Sequence, residues 1–153
     1  NKAEKAAANS SNKIYNGSAG IDLNSLDTSL NYTVSCDIFS VKLPNYWKQY
    51  ATVEKTQDGI DFYDKISQDH GYPGWLFAIE IWTYDDTYSY LPRYQYLGTM
   101  TSPEGETYDL IYTGPTDADF WLEIVDFHYK MDSESSRIFK TITGINGWTF
   151  VPA

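Results

Sequence analysis

Leu76 to Tyr84 is the segment that most restricts the fold. Its alternation puts Phe77, Ile79 and Ile81 on one side and Leu76, Ala78 and Trp82 on the other, with only Glu80 interrupting the second side. Successive strand side chains point to opposite faces, so a ribbon apolar on both is interior to a sheet and covered twice. The longest run free of polar residues, Trp75-Leu76-Phe77-Ala78-Ile79, is far shorter than the ~20 residues of a membrane-crossing helix.

The neighbours such a strand needs can be found on both sides of it in the sequence. Tyr32 to Asp37 and Phe39 to Leu43 read as strands, the second stopped by Pro44. Asn45 to Tyr50 is long enough for about one helical turn. Thr52 to Thr56 and Ile60 to Lys65 form a hairpin around Gln57-Asp58-Gly59, where the Asp-Gly pair is expected to supply the positive φ of a tight turn. Gln68 to Gly74 reads as a loop. Tyr94 to Thr101 and Thr107 to Thr113 make a second hairpin across Ser102-Pro103-Glu104-Gly105-Glu106.

The period then changes to that of a helix. Thr116 or Asp117 is the expected N-cap, and Phe120, Ile124, Phe127 and Met131 make an apolar stripe opposite Asp119, Glu123, Asp126 and Lys130. A second helix from Ser133 or Glu134 to about Thr143 would bury Ile138, Phe139 and Ile142, with Gly144 closing it and Gly147 to Val151 adding a short strand. Hairpins followed by helices predict an α+β domain. Its antiparallel sheet of about six to seven strands would carry the C-terminal helices on one face and the N-terminal segment with the short helix at Tyr46 on the other, an α/β/α sandwich.

With 153 residues, 42% of them hydrophobic, one self-sufficient core is expected. Residues 1–20 are rich in Ala, Asn, Ser, Lys and Gly and read as a tether in which Ala3 to Ala8 would be a short helix. Residues 21–30 read as a connector, so the expected division is a 1–30 tether and connector and one domain over 31–153. The chain opens on Asn1 rather than Met, which suits a removed secretory signal. Cys36, the only cysteine, reads as a small core residue. Net charge is −10, and all of the excess falls after residue 30. Such a surface repels phosphate backbones and anionic headgroups, so nucleic acid is not an expected partner.

The order of motifs resembles a known group. Phe39-Ser40-Val41-Lys42-Leu43-Pro44 before Trp47, then Ile60-Asp61-Phe62-Tyr63, are similar to a domain of unknown function from secreted proteins and lipoproteins of Gram-positive (Firmicutes) gut bacteria. The likeness continues through Gly71-Tyr72-Pro73-Gly74-Trp75-Leu76-Phe77-Ala78-Ile79, Tyr96-Leu97-Gly98, Tyr108-Asp109-Leu110 and Pro115-Thr116-Asp117, spanning about residues 33 to 143. Members often carry Val-Gln after that Pro-Thr-Asp, where Ala118-Asp119 stands here. The Phe-Ser-Val-Lys-Leu-Pro strand before a Trp also looks like the PsbP-type α/β/α sandwich, a binding or assembly module. The resemblance implies an extracellular, surface-anchored lipoprotein, touching membrane only through an N-terminal lipid anchor outside this sequence. It supplies no catalytic residue.

No catalytic motif is present: there is no Gly-x-Ser-x-Gly elbow, P-loop or dinucleotide fingerprint. His70 and His128 are the only histidines; Asp126-x-His128 is the nearest approach to a ligand pair, but helical residues two apart diverge by ~200°. His70 reads as a solvated loop residue. Asp85-Asp86 and Asp117 with Asp119 are carboxylate pairs able to face Ca²⁺, yet a turn and a helix cap account for them. No metal and no cofactor are expected. The richest feature is aromatic: Trp82, Tyr84, Tyr88, Tyr90, Tyr94 and Tyr96 crowd one stretch, with Trp82 and Tyr96 expected to be packed in strands. Tyr84, Asp85, Asp86, Tyr88, Tyr90 and Arg93 are therefore the candidate ligand-binding residues, because rigid amphipathic rings beside polar groups suit stacking on sugars or docking a protein.

These readings point to a non-catalytic, extracytoplasmic binding or assembly domain of a bacterial surface lipoprotein, monomeric, with a glycan or a surface protein as partner. The rival is a small extracellular hydrolase using carboxylates in a cleft, which requires two convergent acids or one acid beside His70 or His128. A third reading, a purely structural module, requires a flat apolar patch.

Overall fold

Burial along the strands shows how the alternating sequence becomes layers. A computed structural model of the chain describes residues 17–153; the 1–20 tether falls mostly, and the Ala3 to Ala8 helix entirely, outside the described residues. The small sheet is built from β1 (Leu30–Ser35), β2 (Phe39–Pro44) and β8 (Thr143–Gly144), in the order β1-β2-β8. The large sheet comprises β3 (Ala51–Lys55), β4 (Gly59–Asp64), β5 (Trp75–Ile81), β6 (Tyr94–Thr101), β7 (Thr107–Thr113) and β9 (Thr149–Pro152). Its order is β3-β4-β5-β7-β6-β9, antiparallel throughout. Helices α1 (Trp47–Tyr50), α2 (Lys65–Asp69), α3 (Val125–Asp132) and α4 (Ser135–Phe139) are all short. The chain is therefore α+β, with two antiparallel sheets and few helices.

β5 holds the inner position that its two apolar faces demand. Leu76, Phe77, Ala78, Ile79 and Ile81 are all buried, and β4 and β7 flank it. The strand stops at Ile81, three residues before the expected end. Phe77 defines the inner face, since Trp47, Phe62, Tyr112 and Phe139 all meet its ring at centroid distances of 4.9–6.2 Å. Phe39, Val41 and Leu43 of β2 are fully buried in the same core as Phe127 and Ile138, so the small sheet and the helices share that inner side. Ile21, Leu23 and Leu26 pack against this core.

Four expectations are corrected. The strands divide into a six-stranded and a three-stranded sheet, because β2 turns its apolar face onto the core instead of joining the large sheet's edge. The Tyr46 segment lies on the same side as the C-terminal helices: Tyr46 meets Phe127 and Trp47 meets Phe62, since a wholly buried Trp needs the deepest part of the core. Thr116 and Asp117 cap no helix. The Asp119 carbonyl accepts from Gly74 N–H and the Trp121 N–H donates to Ser67 Oγ, which holds residues 114–121 irregular until a 3₁₀ turn at Leu122–Ile124 leads into α3. Finally, Gly59 lies in β4 with no positive φ, and the 56–59 turn is held by Thr56 Oγ1 accepting from the N–H groups of Asp58 and Gly59. Gly59 is required for a different reason: a Cβ there would stand 2.0 Å from the Ile79 carbonyl oxygen.

The second helix is shorter than expected and ends at Phe139: Ile138 is buried within it, Phe139 is half-buried, Ile142 is buried beyond its end, and Gly144 joins β8 instead of closing it. Cys36 is buried, with Sγ directed at the Phe39 carbonyl. No helix of the described residues is long and apolar enough to cross a membrane.

Candidate functional site

Tyr112 turns inward onto Phe77, so its neighbours Ile111 and Thr113 face outward, and their cross-strand partners Tyr96 and Tyr94 share that outer face. The 82–93 connection, which contains a 3₁₀ turn at Tyr88–Tyr90, leaves β5 beside this face. Trp82, released from the strand, anchors it: its indole N–H donates to the Asp86 carbonyl at 2.6 Å, and its backbone N–H to the Asp109 carbonyl. Around that indole Tyr84, Tyr88 and Tyr90 stand edge-on at 4.8, 5.8 and 6.2 Å, and Tyr88 meets Tyr94 at 5.4 Å. Edge-to-face contacts at these distances are favourable beyond area burial, so the rings hold each other in place.

Yet much of their surface is open. Tyr84 and Tyr90 are 66% and 63% exposed, and Tyr94 and Tyr96 are also exposed. Tyr96 is thus not packed as its strand position suggested. The Tyr88 hydroxyl donates to Asp109 Oδ2 at 3.0 Å, and burial together with that carboxylate pushes its ionisation up to about 12. Asp85 and Asp86 lie exposed in the same connection. Of the sequence candidates, Tyr84, Asp85, Asp86, Tyr88 and Tyr90 therefore share one surface.

Arg93 leaves them. Its guanidinium pairs with Asp132 Oδ2 at 3.1 Å, donates to the Pro115 carbonyl and lies over the Tyr112 ring, at the mouth of a cleft between the irregular 114–121 segment and α3. This cleft has two lobes that share Arg93, Pro115, Thr116 and Asp117. The outer, of about 340 Å³, is walled by Trp75, Leu91 and Pro92; the inner, of about 220 Å³, reaches His128. Asp117 and Asp119 stand exposed on the rim without an ion pair among the described residues.

The floor of the inner lobe rests on residues that nothing in the sequence linked. Asp64, wholly buried at the end of β4, caps α2 by accepting from Ser67 N–H at 2.7 Å, and its other oxygen accepts from Ser67 Oγ at 2.5 Å and from His128 Nδ1 at 2.8 Å. Phe120 stacks on the imidazole at 4.2 Å. His128 thus meets the buried carboxylate through Nδ1 and lines the inner lobe, and Nε2 makes no hydrogen bond among the described residues. His128 is 4% exposed. One acid thus does lie beside His128, but Ser67 bonds the acid and not the ring, so no nucleophile is aligned with Nε2. Asp126 is exposed, lies against the Gly17 backbone and plays no part.

Two signals for this network were present in the sequence: Asp64 precedes Ser67 at N-cap spacing, and His128 follows Ile124 by one turn on the buried stripe. Their meeting across 64 residues was not signalled. His70, the other histidine, is an exposed residue after α2 that donates to the Ile66 carbonyl and stacks on Trp121. No group of three or more His, Cys, Asp or Glu among the described residues is placed to hold a metal ion.

The outer face carries one further electrostatic feature. Glu54 pairs directly with Asp61 across β3 and β4, and Glu80 lies on the next strand. Burial raises both Asp61 and Glu80 above the ordinary carboxylate range; the neighbouring acids add to this, while the Trp75 indole N–H, 3.1 Å from Asp61 Oδ1, opposes it for Asp61.

Comparison with protein-family models finds no match, and neither comparison with curated proteins nor comparison with solved structures finds a significant one.

Proposed function

We propose that this chain is a non-catalytic, extracytoplasmic binding domain of a bacterial surface protein, and that its ligand is a glycan stacked on the aromatic face formed by Trp82, Tyr84, Tyr88, Tyr90 and Tyr94. The observation that carries this is the combination of mutual packing and exposure. Rings fixed edge-to-face by one another yet open to solvent lose little entropy when a flat apolar face settles on them. Asp85, Asp86 and Asp109 supply acceptors for hydroxyl groups around that face. The net charge of −10 favours neutral or cationic glycans over anionic ones. The double variant Tyr84→Ala/Tyr90→Ala, which removes the two most exposed rings without touching the core, is expected to lower affinity for retained glycans at least tenfold in pull-downs and tryptophan-fluorescence titrations. Unchanged binding would refute the reading.

The hydrolase reading draws on Asp64 and His128 at the cleft floor, an acid orienting an imidazole as in general-base catalysis. Turnover of glycosides or esters that disappears in His128→Asn would replace the binding reading with this one.

A further inference from the structure

Away from both the aromatic face and the Arg93 cleft, the large sheet has an edge that its own strands leave open. β9 pairs with β6 only from Gly98 to Thr101, so the Tyr94 to Leu97 half of β6 has no strand partner opposite β7 among the described residues. The Ala153 N–H ends the pairing by donating to the Leu97 carbonyl. α4 faces this half from the inner side and stops at Phe139, whose ring meets Phe77 and Tyr112 at 5.9 and 5.4 Å. Between strand and helix lies a cavity of about 440 Å³, larger than either lobe of the cleft, with Leu97, Phe139, Ile142 and Phe150 on its wall.

Two properties of this cavity point to one kind of occupant. Its wall is mainly apolar and aromatic with few polar groups, the make-up of a small-molecule site, and its size falls within the ~300–1,000 Å³ of such sites. Its charge also runs against the rest of the chain. Of 21 acids and 11 bases, no acidic side chain lines it and one base, Lys140, does. Arg93 and Arg137 are each held by a carboxylate, whereas Lys140 is exposed and makes no ion pair among the described residues, with a side chain or with the Ala153 carboxylate. An apolar wall beside an unpaired ammonium is complementary to an aliphatic chain that ends in a carboxylate: the chain leaves water while the head stays at the mouth beside the positive charge.

We infer that this cavity binds a free single-chain aliphatic carboxylate, its tail against Leu97, Phe139, Ile142 and Phe150 and its head facing Lys140. The inference goes beyond the glycan reading and shares none of its residues.

Heteronuclear NMR and calorimetry on the intact chain test it, with decanoate, decan-1-ol and decyltrimethylammonium kept below their solubility and micelle limits. Decanoate is expected to shift the amide signals of Leu97, Lys140 and Ile142 and to leave those of Tyr84 and Tyr90 in place. It should bind at least threefold tighter than the alcohol and at least tenfold tighter than the ammonium; the first margin is modest because an exposed charge pair contributes little. Tail burial gives roughly fourfold per methylene, so octanoate should be at least fivefold weaker than decanoate. Lys140→Glu is expected to erase the preference for decanoate over decan-1-ol. Ser136→Trp, at an exposed position of α4 on the cavity wall, is expected to fill the space and abolish binding of all three probes while circular dichroism stays native. Failure of decanoate to bind, equal affinity for the three probes, no dependence on chain length, or binding that survives Ser136→Trp overturns the inference. A dimer seen by light scattering without probe, and dissociated by Ser136→Trp, would make this face a contact between two copies and overturns it as well.

Discussion

Replacing Asp64 by Ala removes the acceptor on which three donors converge. The Ser67 N–H at 2.7 Å, the Ser67 hydroxyl at 2.5 Å and His128 Nδ1 at 2.8 Å all lose their partner, and all lie where water does not readily reach, since Asp64 and Ser67 are wholly buried and His128 nearly so. Loss of an N-cap by itself is worth ~1 kcal/mol. Each buried donor left unsatisfied adds ~1–3 kcal/mol, and breaking a buried acid–imidazole contact by deleting one partner falls at ~3–5 kcal/mol. These terms overlap, so the expected loss is about 4 kcal/mol, a large share of the ~5–15 kcal/mol that a domain of this kind possesses. In urea, with a slope of ~2 kcal/mol per molar, the midpoint should fall by about 2 M without a change in slope.

Thermal unfolding should fall by about 10–15 °C, from ~2–4 °C per kcal/mol at this size. His128→Asn is the control: it keeps a donor for Asp64 and should lose less than half as much. In a double-mutant cycle the two substitutions should couple by at least ~1 kcal/mol, as groups sharing one hydrogen-bond network do. A loss below ~1 kcal/mol for Asp64→Ala, or additive effects in the cycle, would refute the claim that this network holds α2, α3 and the 114–121 segment together.

Two other substitutions test the large sheet. Glu80→Gln should stabilise the protein by ~0.5–1 kcal/mol at neutral pH, because burial and the like charges of Asp61 and Asp58 oppose the ionised form. A carboxyl raised on folding gives stability that is present when it is protonated and is lost as pH rises through the raised value, so the advantage of Gln should vanish in acid; a Glu80→Gln midpoint equal to wild type at pH 7 contradicts this. Gly59→Ala should cost ~2–3 kcal/mol by urea unfolding, since the new Cβ would stand 2.0 Å from the Ile79 oxygen and backbone atoms must move, whereas Gly105→Ala, at φ +89° with open space around it, should cost only ~1 kcal/mol. Equal costs at the two glycines would mean that backbone conformation, and not strand approach, explains Gly59.

Local pattern determined much of this protein. Apolar residues on both faces of β5 required an inner strand, and it lies between β4 and β7, although the helices and the small sheet all pack on one side of it; Ser102 to Glu106, with Gly105 at positive φ, makes the hairpin its residues imply. Phe120, Ile124, Phe127 and Met131 of the first helical stripe, and Ile138 of the second, are buried. The crowding of Tyr84, Tyr88 and Tyr90 marked an aromatic surface because too many rings fell in one connection for the core to absorb.

What tertiary structure decided were long-range competitions that a local window does not contain. Residues 116–121 have a helical stripe, but hydrogen bonds to Gly74 and Ser67 hold them open and thereby make the cleft. Trp47 chose the crowded inner face over the opposite one because only there is a whole indole removed from water. Arg93 turned from the tyrosines to Asp132, and Asp64 met His128, through loop closures whose entropy was recovered only when the surrounding core had formed.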